Sequence, residues 1–200
     1  MVSRLVVLAI LALGTSVEAQ GGIPPQAQDS ARYARLRSRI EAGDTTADFT
    51  ELRVLAAKMP SPSALGSSVK DHFALARETP DSLVARAHVD SVTWLYFGHV
   101  RAHIDAQRIF AERHDTVRSG AEAAIVRELL ASIGTSDGLT TSTAISVVSI
   151  DEEYAYMTAH HVKPEMQALL DCGNGKCDSL TGVDSATGKS VTYYFRLTWK

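Results

Sequence analysis

From Asp29 to Gly134 apolar residues recur at every third or fourth position; from Thr135 onward they recur at every second position. The first spacing places side chains on one face of a helix and the second on one face of a strand. The pattern therefore divides the chain into a helical half, 29–134, and a β half, 135–200. Packed together, the two make one α+β unit with N-terminal antiparallel helices on a C-terminal antiparallel β-sheet.

Within the helical half, Asp29-Ser30 can cap a helix that aligns Tyr33, Leu36 and Ile40, and Gly43 stands at a left-handed stop. A second helix runs from Phe49 to Lys58 and ends before Pro60 and Pro62. The periodicity weakens over 62–79, where Val69, Phe73 and Ala76 still share a face. Thr79-Pro80-Asp81 supplies a hydroxyl cap and a first-turn proline for a helix that buries Leu83, Ala87, Val92, Leu95 and Tyr96. Gly98 breaks that helix, and Val100, Ile104 and Phe110 belong to one running back. The pair is tetratricopeptide-like, but no period repeats, so a solenoid is not expected. Ser119-Gly120-Ala121-Glu122 has the spacing of a capping box for a last helix with Ile125, Leu129 and Ile133, ending at Gly134.

The β half is expected to open with a strand over Thr143–Ile150. Asp151-Glu152-Glu153 reads as a solvated turn, and an extended pattern resumes over Tyr154–Ala159. The cleanest alternation sets Val191, Tyr193, Phe195, Leu197 and Trp199 against Ser190, Thr192, Tyr194, Arg196 and Thr198. Lys176–Val183 pairs with it through the turn 184–188.

Several strings resemble an exported bacterial family, domain of unknown function 4919. They are Ala42-Gly43-Asp44-Thr45-Thr46-Ala47-Asp48-Phe49-Thr50-Glu51-Leu52-Arg53, then Ser136-Asp137-Gly138-Leu139 with Ala144-Ile145, then Ser149-Ile150-Asp151-Glu152-Glu153-Tyr154, and last Tyr193-Tyr194-Phe195. After Arg53 the chain reads Val54-Leu55-Ala56-Ala57-Lys58-Met59-Pro60 in place of the family's tyrosine-rich segment. The resemblance implies the same helical-then-β layout and supplies no reaction.

Composition changes the picture chiefly at the N-terminus. Arg4, the apolar run Leu5–Leu13, and small residues at Val17 and Ala19 form a secretory signal, 1–19, cleaved before Gln20. The run is too short for the roughly 20 residues that cross a bilayer. Residues 20–28, rich in Gly, Pro and Gln, read as a flexible leader. The net charge of −3 gives no electrostatic case for nucleic acid or an anionic membrane, and no span is expected in the mature chain. The expected location is periplasmic or secreted.

The two cysteines, Cys172 and Cys177, flank Gly173-Asn174-Gly175-Lys176. A zinc site would need His160 and His161 in a spacing with no known mechanism, and a thioredoxin-type motif needs two intervening residues. A type I′ turn at Asn174-Gly175 would instead set Cys172 opposite Cys177 in a non-hydrogen-bonded pair, with Cα atoms about 4.5 Å apart, close enough for a disulfide. In an oxidising compartment that bond is expected.

His99 and His103 have the spacing of a helical metal pair, yet Gly98 interrupts the helix and no adjacent Glu serves as base. They read as partly exposed structural histidines, as do His88 and His114. Asp151-Glu152-Glu153, with Asp137 and Asp184, lacks the spacing of a calcium loop. The aromatic group Tyr154, Tyr156, Tyr193, Tyr194, Phe195 and Trp199 is mostly core, with Tyr194 facing the other way. No catalytic residue, cofactor or metal ligand is assigned. The expected function is a non-catalytic envelope module binding a protein, peptide or glycan, or serving as an accessory to an envelope complex. The alternative is a metal-dependent hydrolase using His99, His103 and Asp105.

Overall fold

A computed structural model describes residues 25–59, 67–173 and 175–198. Residues 1–19, read as a secretory signal, and residues 20–24, Asn174 and Trp199 lie outside the described residues. In chain order the elements are α1 (Pro25–Glu41), α2 (Phe49–Lys58), α3 (Ser67–Glu78), α4 (Ser82–Leu95), α5 (Val100–Glu112), α6 (Thr116–Ile133), β1 (Ile145–Val147), α7 (Ile150–Ala159), β2 (Val162–Asp171), β3 (Lys176–Asp184) and β4 (Ser190–Leu197). Helices come first and the sheet last, an α+β chain. No described helix is long and apolar enough to cross a membrane.

The chain enters α1 four residues before Asp29, within the stretch read as leader. Proline is tolerated in a first helical turn because the N–H it lacks has no intrahelical partner there. Carboxylates, not the anticipated hydroxyls, start several helices. Asp48 accepts from the Glu51 N–H, Asp81 from Leu83 and Val84, and Asp115 from Arg118. So α4 is capped at Asp81 and not Thr79, and α6 opens at Thr116, a turn before Ser119.

On α4 the apolar residues occupy two faces, and periodicity alone could not choose between them. Ala85, Val89, Val92 and Tyr96 are buried, while Leu83, Trp94 and Leu95 are exposed. Val89, Val92 and Tyr96 join Val69, Phe73 and Ala76 of α3 with Ala106, Ile109 and Phe110 of α5 in one core cluster. The α4–α5 turn is where Gly98 predicts it, and a Cβ there would stand 2.3 Å from Ala56 Cβ, so α2 requires the glycine. The pairing is not that of an isolated helical hairpin, however: α3 packs mainly on α4, and α5 on α6.

A second cluster joins Leu36, Ile40, Phe49, Leu52 and Leu55 to Phe97, Val100, Leu129 and Ala155. A third lies between the helices and the sheet, with Ile133, Ile145, Tyr156, Met157, Leu180 and Phe195. Leu130 packs against both, so α6 bridges the two halves.

The sheet order is β1-β4-β3-β2. β2, β3 and β4 pair antiparallel, but β1 joins β4 in parallel, Ile145 opposite Phe195 and Val147 opposite Leu197. Residues 150–159, read as a turn and a strand, form a helix. The signal was Ser149 three residues before Glu152: Ser149 accepts from the Glu152 N–H and Val148 donates to the Glu152 carboxylate at 2.8 Å, a variant of the reciprocal cap. β2 was anticipated only as the strand entering the Cys172–Cys177 hairpin, without its extent back to Val162. It is an outer strand with a register shift between Pro164 and Met166 and one buried residue, Val162, so it shows no clean alternation.

Candidate functional site

The first turn of α7 carries Glu152 and Glu153, both read as solvated and both buried, at 1% and 0% exposure. Because α7 lies between the helices and the sheet, consecutive side chains reach opposite environments. Glu152 turns to the helical half. Arg53 Nε donates to its Oε1 at 2.8 Å, and the same guanidinium donates to Ser132 Oγ at 3.1 Å and the Ser146 carbonyl at 3.4 Å. Burial pushes the Glu152 carboxyl upward, against the pull of Arg53 and the Val148 N–H. The Arg53–Glu152 pair joins α2 to α6, β1 and α7.

Glu153 turns to the sheet and meets another acid. Its neighbours are Asp178 of β3 and Gln167 of β2, whose Nε2 lies 3.5 Å from Glu153 Oε2. Burial and the negative charge of Asp178 push Glu153 up to about 8. As a carboxylate, Glu153 would leave Oε1 buried with no partner. A protonated Glu153 could donate to Asp178, whose charge and side-chain hydrogen bond help to hold its pKa up. Gln167 is oriented by Tyr154, whose hydroxyl donates to Gln167 Oε1 at 3.0 Å.

Asp178 also lines a cavity of about 400 Å³ at the hairpin end of the sheet, with Leu169, Lys176, Arg196, Leu197 and Thr198. Lys176 Nζ sits 2.7 Å from Asp171. Arg196 Nη2 donates to the Thr141 carbonyl at 3.3 Å, while its Nε is buried with no protein acceptor. The cavity thus combines apolar walls with two cations, Lys176 and Arg196, and an anion, Asp178, and Glu153 lies behind Asp178. Glu153 is fully enclosed, so the group a ligand would touch is Asp178.

The cysteines border this end of the sheet. Their sulfurs stand at disulfide distance, 2.18 Å, with Cα atoms 5.9 Å apart. The register is not the anticipated one: Cys177 pairs with Leu170, Asp171 with Lys176, and Cys172 begins a four-residue loop closed by its N–H on the Gly175 carbonyl at 2.8 Å. The strand before the cysteines extends to Asp171, which leaves four residues instead of two to turn the chain.

The histidines are deployed otherwise than as a metal pair. His103 is 0% exposed; its Nε2 donates to the Phe97 carbonyl at 2.8 Å and its Nδ1 lies 2.6 Å from a Glu122 carboxylate oxygen. Both ring nitrogens are engaged, so the expectation of a partly exposed His103 is corrected. His99 precedes α5, and burial lowers its pKa. Asp105 is paired with Arg101 and Arg108. Among the described residues no three His, Cys, Asp or Glu side chains gather as a metal would require. His88 has a partner, His72, with Nδ1 atoms 2.9 Å apart, and His114 adopts a left-handed conformation after α5.

Asp137 and Asp184 organise turns. Asp137 accepts from the Leu139 N–H and the Thr143 hydroxyl, and Asp184 accepts from the Ala186 and Thr187 N–H groups; these bonds lower both carboxyl pKa values. Tyr156 stacks on His160 with centroids 3.9 Å apart and meets Tyr193 and Phe195 edge-on, so these rings are core. Tyr194 lies on the other face of β4, partly buried.

The residues that sequence reasoning missed as a group are Glu153, Asp178, Leu169 and Arg196. They lie on three strands and a helix, and their proximity has no counterpart in spacing along the chain. In comparison with known proteins the chain matches no family model, no curated protein and no solved structure.

Proposed function

We propose that the protein is an exported, non-catalytic binding module, with a peptide segment as its ligand at the hairpin end of the sheet. One observation carries the reading. Leu169 and Leu197 supply apolar surface beside Lys176, Asp178, Arg196 and Thr198 in a cavity of small-ligand size, and Arg196 keeps a donor without an acceptor. An apolar wall with a few converging polar groups suits a side chain and the amide or carboxylate beside it.

β2, which contributes Leu169, is an outer strand. An extended segment beside it would add main-chain bonds to the pocket contacts, the arrangement of strand addition. Export is supported by the N-terminal pattern and by two cysteines held where an oxidising compartment would join them.

The test is selection of extended peptides from a displayed library against the folded protein, followed by calorimetry on Leu169→Arg and Asp178→Asn. Selected peptides are expected to lose at least about tenfold in affinity for Leu169→Arg and to retain it for Trp94→Ala. Unchanged binding to both cavity variants would remove the cavity as the site, and a library yielding no binder would remove the peptide-binding reading.

A further inference from the structure

The exposed face of α4 carries a feature that the sheet-end cavity does not absorb. Trp94 is 60% exposed, an unusual position for the largest apolar side chain in a helical half with three helices close by. The ring is not loose. The Arg37 guanidinium carbon lies 4.8 Å from the ring centroid, Arg37 Nη1 donates to the Trp94 carbonyl at 3.1 Å, and Glu41 accepts from Arg37 Nε and Nη2 at 2.8 and 2.7 Å. Arg37 thereby covers one face of the indole and holds it in place.

Trp94 lines two depressions. One, about 410 Å³, contains Arg37, Glu41, Asp90, Arg118 and Glu122; the other, about 430 Å³ and open, contains Asp90, Ser91 and Leu95. Both guanidiniums in the first have an internal partner, Arg37 with Glu41 and Arg118 with Asp90 at 3.0 Å, and Glu122 lies 2.6 Å from His103 Nδ1. A cleft whose guanidiniums are already paired, with a further carboxylate beside them, gives a phosphate no net attraction. What it offers is a flat apolar ring bordered by alternating carboxylate acceptors and guanidinium donors.

A ligand complementary to that surface is uncharged, has an apolar C–H face, and carries hydroxyls around its rim. We propose that Trp94 and its flanking cleft bind a neutral sugar ring, stacked on the indole face that Arg37 leaves open, with hydroxyls donating to Asp90 and Glu41. An apolar peptide would match the ring but would leave the rim carboxylates facing nonpolar groups. The site shares no lining residue with the sheet-end cavity, so it goes beyond the peptide-binding reading and can fail or stand separately.

The experiment is titration of the folded, nitrogen-15-labelled protein with neutral di- and trisaccharides of glucose, mannose and N-acetylglucosamine, following the Trp94 indole cross-peak, assigned by its loss in Trp94→Ala. At least one sugar is expected to shift that cross-peak saturably. Its affinity should fall by about tenfold or more in Trp94→Ala, and less in Trp94→Phe, which keeps a flat ring. Because the side chain is mostly exposed, both variants should keep the wild-type amide spectrum elsewhere. Three outcomes overturn the proposal: no sugar of the panel shifts the peak, sugars shift only residues of the sheet-end cavity, or the library-selected peptides shift Trp94 where sugars do not.

Discussion

Two junctions hold α7 in place, and they are built on neighbouring residues with opposite logic. At the first, Glu152 meets Arg53, and the carboxylate's negative charge is matched by a guanidinium that also bonds Ser132 and the Ser146 carbonyl. At the second, Glu153 meets Asp178, and burial with that like charge pushes Glu153 up to about 8. The first junction tolerates burial through an ion pair. The second tolerates it by neutralising one acid, and so remains sensitive to pH. The difference separates a joint that fixes the two halves from a site whose charge can change beside a cavity.

The sharpest way to break the comparison is to remove the cation from the first junction. Arg53→Met leaves Glu152 buried and unpaired, with an expected loss of about 3–5 kcal/mol in urea unfolding. The double variant Arg53→Met, Glu152→Leu should recover most of it, because no uncompensated charge then remains. If the single variant were as stable as wild type, the junction would not be the joint described here.

The second junction should show itself through pH. Burial, with the charge of Asp178, pushes Glu153 up to about 8 in the folded protein from an ordinary value of 4.5. Its favourable contribution is fully present below about pH 4.5, and stability should fall as pH rises from there through about 8, by on the order of a few kcal/mol. Glu153→Gln should flatten this slope. The turn acids Asp137 and Asp184 have lowered pKa values, so their contribution is lost only as pH falls below the ordinary carboxylate range, outside that window. Urea unfolding at several pH values from 4 to 9 reads both effects; an equal slope in Glu153→Gln would assign the dependence elsewhere.

A smaller effect sharpens the contrast. Replacing Cys172 and Cys177 by serine removes a six-residue closure worth about 2 kcal/mol by chain entropy. The loss should couple to Glu153→Gln, since the hairpin frames the strand that carries Asp178, and should add simply to Arg53→Met, with which it shares no partner. Simple addition in both cycles would mean that the hairpin does not position Asp178.

Much of the helical half was legible because its signals are local. Gly98 marks the α4–α5 turn, Phe49–Lys58 has its observed bounds, and Gly134 closes α6. The last two strands were legible for the same reason: β4 alternates cleanly, and its turn at 184–188 lies between paired strands. Outer and mixed elements were not. β2 buries only Val162, so burial imposed no pattern on it, and the Ser149–Glu152 cap was obscured by the β-branched residues preceding it. Leu83 and Leu95 show the same limit on α4, where two apolar faces compete and only the neighbouring helices decide which is buried.

By itself the sequence determined the helices-then-sheet order, the turns at Gly98 and at 184–188, and the proximity of Cys172 to Cys177, because each depends on residues a few positions apart. Tertiary structure alone decided that adjacent glutamates receive an arginine and an aspartate as partners, Arg53 from 99 residues away and Asp178 from another strand. Charge partners across a fold are chosen by packing, and packing leaves no period in the chain for charged residues to follow. It was also packing that left Trp94 outside the core: α3 and α5 cover the opposite face of α4, and Arg37 of α1 reaches across to hold the ring that remains exposed.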